Sequence, residues 1–165
     1  MLQQITNAFG KVYLTIEYDS ANKWVYNQWV GYQTQPGIVV GANACLAPLQ
    51  TNACAYLLND NRDVVGPWDH AVEWIVTDWA PRALAQGLTH FANVVSPESM
   101  AALSAQAMHL GLGGRLVMRM FGNIEEAKAW LRAEQQAVSG NAATASGHAG
   151  SEPNATPLPQ QLADN

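Results

Sequence analysis

The chain has 165 residues, 48% of them hydrophobic, and a formal net charge of -5, with an isoelectric point near 5.2. That length suits one domain with a core of its own, and the composition is globular rather than disordered. Eight Lys and Arg, scattered singly through an acidic chain, argue against nucleic acid and anionic membrane as main partners.

The N-terminal MLQQITNAFGK is mixed and polar, so it reads as no signal peptide. No run approaches the roughly 18 apolar residues of a membrane span, so no membrane insertion is expected. Cys45 and Cys54 read as free, buried thiols of a cytoplasmic protein. Two cysteines with no His at ligand spacing make no metal site.

Lys11 to Tyr18 alternates, with Val12, Leu14, Ile16 and Tyr18 on one face, and predicts a half-buried strand. The turn Asp19-Ser20-Ala21-Asn22 leads to a second strand over Lys23 to Gly31, closing an antiparallel hairpin. Thr34 caps a helix over 36–50, with Pro36 in its first turn. Gly37, Gly41, Pro48 and three β-branched residues make it a poor helix by propensity, so tertiary packing must hold it. Ala53 to Leu58 is a nearly continuous apolar run, suited to a buried central strand.

The clearest helix spans 67–80, where Trp68, Val72, Ile75 and Trp79 recur on one face and Pro81 marks an end or a kink. Leu88 to Val95 is the next strand. Ser96, with Pro97 behind it, caps a helix to about His109, which Gly111, Gly113 and Gly114 end. Arg115 to Phe121 is the last strand. Asn123 and Glu126 open a final helix with Ile124, Ala127, Leu131 and Val138 on one face. Residues 139–165 lose apolar periodicity and read as a disordered tail, leaving 1–138 as the domain.

The fold class is therefore α/β, in the order ββαβαβαβα: a hairpin, then a parallel β-α-β series whose helices pack on one mixed, mostly parallel sheet. That order, the segment LLNDNRDVVGPWDHAVEW and the ending RMFGNIEEAKAWL resemble small bacterial STAS-like domain proteins, grouped with anti-sigma-factor antagonists and CRAL-TRIO lipid-binding domains. The resemblance covers roughly residues 8–138 and implies a fold more than an activity. In anti-sigma-factor antagonists a serine at the start of the helix after a central strand is the phosphoswitch. The matching stretch here, Asn59 to Asp69, holds no Ser or Thr, so no phosphoswitch is expected.

The polar run Asn59 to Asp63 reads as a turn after the carboxyl end of a parallel strand, the edge where α/β sheets bind ligands and partners. Asp60, Asn61, Arg62 and Asp63 are its candidate contact residues; a solvated turn bonded to its own backbone is the plainer reading. Asp69, His70 and Glu73 fall on the first turns of the Trp-rich helix and read as a solvated face favoured by the helix dipole rather than as an acid–base pair. His90 and His109 are isolated, and Gly111-Leu112-Gly113-Gly114 fits no nucleotide motif. Of six tryptophans, Trp68 and Trp79 belong to the core. Trp74 lies about 100° from that stripe, Trp29 shares its strand face with Val25 and Asn27, and Trp130 lies beside the stripe of the last helix. Trp74 and Trp29 are the candidates for a self-association or ligand surface.

These features point to a non-enzymatic, cytoplasmic regulatory or interaction domain with a protein partner or a second copy of the chain, without catalytic residues, cofactor or metal. The alternative is a small carrier or sensor of an apolar, lipid-like molecule. A cavity beneath the helices would favour the carrier, and a filled core with an exposed aromatic patch the interaction module.

Overall fold

In a computed structural model, residues 2–146 are described, with side chains to residue 140. Six strands form one sheet in the order β1-β2-β3-β4-β5-β6: β1 Leu2–Thr6, β2 Val12–Asp19, β3 Trp24–Tyr32, β4 Tyr56–Val65, β5 His90–Val94 and β6 Val117–Phe121. The first three are antiparallel neighbours, and β3 to β6 are parallel. The α/β class with a mixed sheet stands. The order gains a strand at the front, because the N-terminal segment pairs with β2 as an edge strand. Only Ile5 of β1 packs on the core, which leaves little alternation to read. The turn behind it is closed by Asn7, whose Oδ1 accepts from the amides of Phe9 and Lys11 at 3.0 and 3.1 Å.

Each parallel strand lies one step further across the sheet, so the three crossovers stack their helices on one face. They are α1 Gln35–Thr51, a Trp-rich segment over 69–85, and α4 Met100–Leu112. Thr34 caps α1 as its sequence implies, its side chain accepting from Gly37 N at 3.2 Å. Gly41 brings that helix close to the sheet: a Cβ there would come within 2.5 Å of the Trp29 ring and 2.6 Å of Leu14.

The Trp-rich segment is not one regular helix. It runs as a 3-10 turn Asp69–Ala71, α2 Val72–Trp74, a π turn Ile75–Trp79, and α3 Ala80–Ala85. Pro81 has no N–H to donate and crowds the carbonyl four residues back. The wider turn, with Ala80 N bonded to Ile75 O, carries the helix through it. Ser99, not Ser96, caps α4, its side chain accepting from Ala102 N at 3.0 Å. Ser96 instead donates to the Arg62 carbonyl at 3.1 Å.

The opposite sheet face carries a smaller core of Trp24, Leu58, Val94 and Phe121, covered by Ala127 and Leu131 of α5 Ile124–Ser146. The described residues fall into two compact units that divide between Ala133 and Glu134. In the second, α5 runs on as helix to Ser146, with Ser139 Oγ donating to the Gln135 carbonyl at 2.9 Å. Helix thus continues past the boundary at 138. The remainder of the expected tail, 147–165, lies outside the described residues. Among the described residues no helix is long and apolar enough to cross a membrane.

Candidate functional site

The polar run Asn59 to Asp63 is not a turn. It is the second half of β4, which pairs with β3 as far as Tyr32↔Val65. A bulge places two residues of β4, Asn61 and Arg62, opposite the single Trp29 of β3. Parallel pairing recruits residues whose own preference is for turns, and the bulge absorbs the mismatch.

Strand alternation then separates the candidates. Asp60 faces the α5 side, fully buried at 1% exposure. Arg62 clamps it in the planar, two-bond manner of guanidinium and carboxylate, with Nε to Oδ1 at 2.9 Å and Nη2 to Oδ2 at 2.7 Å. The Arg62 amide and the Tyr26 hydroxyl add bonds of 3.1 Å each. Burial pushes the Asp60 carboxyl up, but the hydrogen bonds and charge of Arg62 outweigh it and hold it below the ordinary value. Burial, then the charge of Asp60, pushes the Tyr26 phenol up to about 12. The constellation is satisfied internally and reads as a structural ion pair. Asp63 is exposed and meets Gln28 at 3.4 Å.

Asn61 and Trp29 turn to the other face, where Asn59 joins them. Trp29 is buried at 8% exposure rather than a surface aromatic, and its Nε1 donates to Asn59 Oδ1 at 2.9 Å. Asn59 Nδ2 donates to both Asn61 Oδ1 and Asn93 Oδ1 at 3.0 Å. Asn27, Asn59 and Asn93 are register partners on β3, β4 and β5, so a row of three asparagines crosses the middle of the sheet. Trp74 is brought to neither group. It is half-buried against the helix layer, with the Arg82 guanidinium 5.9 Å from its ring centre. Trp130 packs beside Phe121 and His90. His70 and Glu73 are exposed.

Between the asparagine row and the helices lies a cavity of about 60 Å³, partly open to the surface. Its floor includes Asn27, Asn59, Asn61 and Trp29, its walls are apolar side chains of α1 and α4, and Trp68, Ile75 and Trp79 cover it. Each cover has a visible support. The Trp68 amide donates to Ser104 Oγ of α4 at 2.9 Å, and Trp79 Nε1 donates to the Ala42 carbonyl of α1 at 2.7 Å. The π turn holds Ile75 and Trp79 in that cover. Gln33, also in the lining, folds back after β3, its Nε2 donating to the carbonyls of Val30 and Gly31 at 3.0 and 3.1 Å.

Of the lining residues, Asn27, Gln33 and Trp68 each carry a buried polar atom, Oδ1, Oε1 and Nε1, with no hydrogen-bond partner among the described residues, as does Asn93 with its Nδ2. Such groups are few in native proteins, and each costs about 1–3 kcal/mol when left unpaired. None of the lining residues is charged, and the one thiol among them, Cys45, accepts from Asn27 Nδ2 at 2.8 Å. Burial pushes that thiol up to about 12, against the opposing pull of the Asn27 bond, so it stays protonated. Both cysteines are free and buried, and among the described residues no cluster of His, Cys, Asp and Glu could hold a metal.

The asparagine row was legible in principle. Asn27 and Asn93 sit inside apolar strands and Asn59 directly follows one, and strands disfavour Asn. The register that aligns them was not. Comparison with protein-family models, with curated proteins and with solved structures finds no match for this chain.

Proposed function

We propose that this chain is a non-enzymatic binding module, a sensor or carrier, for a small uncharged molecule held between the asparagine row and the Trp68 cover. The observation that carries this reading is the set of buried, unpartnered polar atoms on residues that line a largely apolar cavity at the sheet centre. A folded chain retains such costs where a ligand or bound water repays them. With no charged lining group and a protonated thiol, the site offers hydrogen bonds but no acid, base or nucleophile. Its size suits a head group rather than a lipid chain: about 60 Å³ is well under the cavity of about 150 Å³ that benzene occupies.

Binding predicts that neutral polar fragments of a few heavy atoms stabilise the chain against heat. At tenfold excess over Kd the gain is about 1.4 kcal/mol, or a few degrees in Tm. A thermal-shift screen in which no neutral fragment moves Tm would count against the reading.

A second reading, protein contact, is supported by α4. Its Met100, Leu103 and Leu110 share one outer stripe and are 57, 66 and 72% exposed. A native mass spectrum tests it: a dimer that Leu103→Glu returns to monomer supports self-association through α4, and a monomer at high concentration removes that form of it. Two buried free thiols support a reducing, cytoplasmic setting.

A further inference from the structure

The unpartnered atoms define a ligand chemistry more narrowly than their number does. Asn27 Oδ1 and Gln33 Oε1 are acceptors and call for donated N–H or O–H groups. Trp68 Nε1 is a donor and calls for one acceptor. All three belong to residues at most 7% exposed, so a partner has to come from a molecule inside the cavity. A carboxylate satisfies the indole but turns its charge toward two carbonyl oxygens, with no cation in the lining. An ammonium satisfies the oxygens and leaves the indole unpaired. A ketone offers no donor, and a hydrocarbon satisfies none of the three. The group that supplies two N–H donors and one C=O acceptor, uncharged and planar, is a primary carboxamide. Its few heavy atoms match a cavity of about 60 Å³.

We infer that the cavity recognises the carboxamide, or chemically equivalent urea, end of a small molecule: N–H donors to Asn27 and Gln33, carbonyl to the Trp68 indole. The inference rests on the binding reading above and specifies the ligand class. The cavity is partly open, which leaves room for the remainder of the molecule outside.

Three molecules of nearly identical shape separate the alternatives: acetamide, acetone and acetate. Their titration into the ¹⁵N-labelled full chain is followed through the indole N–H resonances of Trp29 and Trp68. Acetamide is expected to move the Trp68 resonance saturably in the millimolar range, as suits four heavy atoms. Acetone and acetate are expected to bind at least about tenfold more weakly, each lacking the N–H donors. Gln33→Met, close to Gln in length, is expected to weaken acetamide about tenfold with the spectrum otherwise retained. Asn27→Leu gives a second, independent loss.

Equal binding of acetone or acetate would overturn the carboxamide assignment while leaving the cavity a binding site. No response of the Trp68 resonance to any of the three would overturn both. Undiminished acetamide binding by a folded Gln33→Met chain and a folded Asn27→Leu chain would show that the amide is held elsewhere.

Discussion

The two faces of the central sheet carry polar residues from the same few positions and treat them in opposite ways. On the α5 face, Asp60 is buried yet has four hydrogen bonds, three from Arg62 and one from Tyr26. One residue away on the same strand, Asn59 and Asn61 open onto a row of amides that leaves Asn27 Oδ1 and Asn93 Nδ2 without partners. A charge brought into a core has to be paired, because an unpaired one is too costly. A neutral amide can be left short by about 1–3 kcal/mol and still be tolerated. The satisfied face therefore reads as structure, and the unsatisfied one is where the proposed ligand would repay the cost.

On that contrast, substitutions of polar residues on the two faces differ in sign as well as size. The largest effect is expected from Asp60→Ala, which strands Arg62 and the Tyr26 hydroxyl. Because Arg62 reaches solvent and can rehydrate, the loss should be about 2–3 kcal/mol rather than that of a fully buried pair, read from urea unfolding. Next is Gly41→Ala. Its methyl would press on the Trp29 ring and Leu14, so it should cost about 1–3 kcal/mol despite a helix propensity gain of about 1 kcal/mol.

On the cavity face, Asn27→Leu removes an unpaired carbonyl along with the bond to Cys45. Stability should stay within about 1 kcal/mol of the parent or rise, while acetamide binding falls. An Asn27→Leu loss as large as that of Asp60→Ala would erase the distinction between the faces.

Acid sharpens the same comparison. A carboxyl held below its ordinary value in the folded chain favours folding once ionised. The Asp60 contribution is thus complete above the ordinary carboxylate value of about 3.9 and is lost as pH falls through the lower folded value. Asp60→Asn should flatten that limb of a stability profile, whereas Asn27→Leu should leave it unchanged. The smallest expected signal is chemical: Cys45, buried and raised to about 12, should resist alkylation at pH 8 until the chain unfolds, as followed by mass.

Local pattern alone determined much of this protein. The hairpin of β2 and β3, the Thr34 cap, the core face of Trp68, Ile75 and Trp79, and the α/β class all follow from period, capping chemistry and short connections, which act over a few residues. Tertiary structure decided the rest, for reasons that operate over longer range. Pairing with β2 made a strand of the polar N-terminal segment. Parallel pairing with β3 drew Asn59–Asp63 out of a turn and into β4. The approach of α1 at Gly41 buried Trp29, which strand alternation alone placed only on a face. The candidate site depended most on this second kind of information. Three asparagines in three strands become one row only when the register is set, and register is a property of the folded sheet rather than of any strand within it.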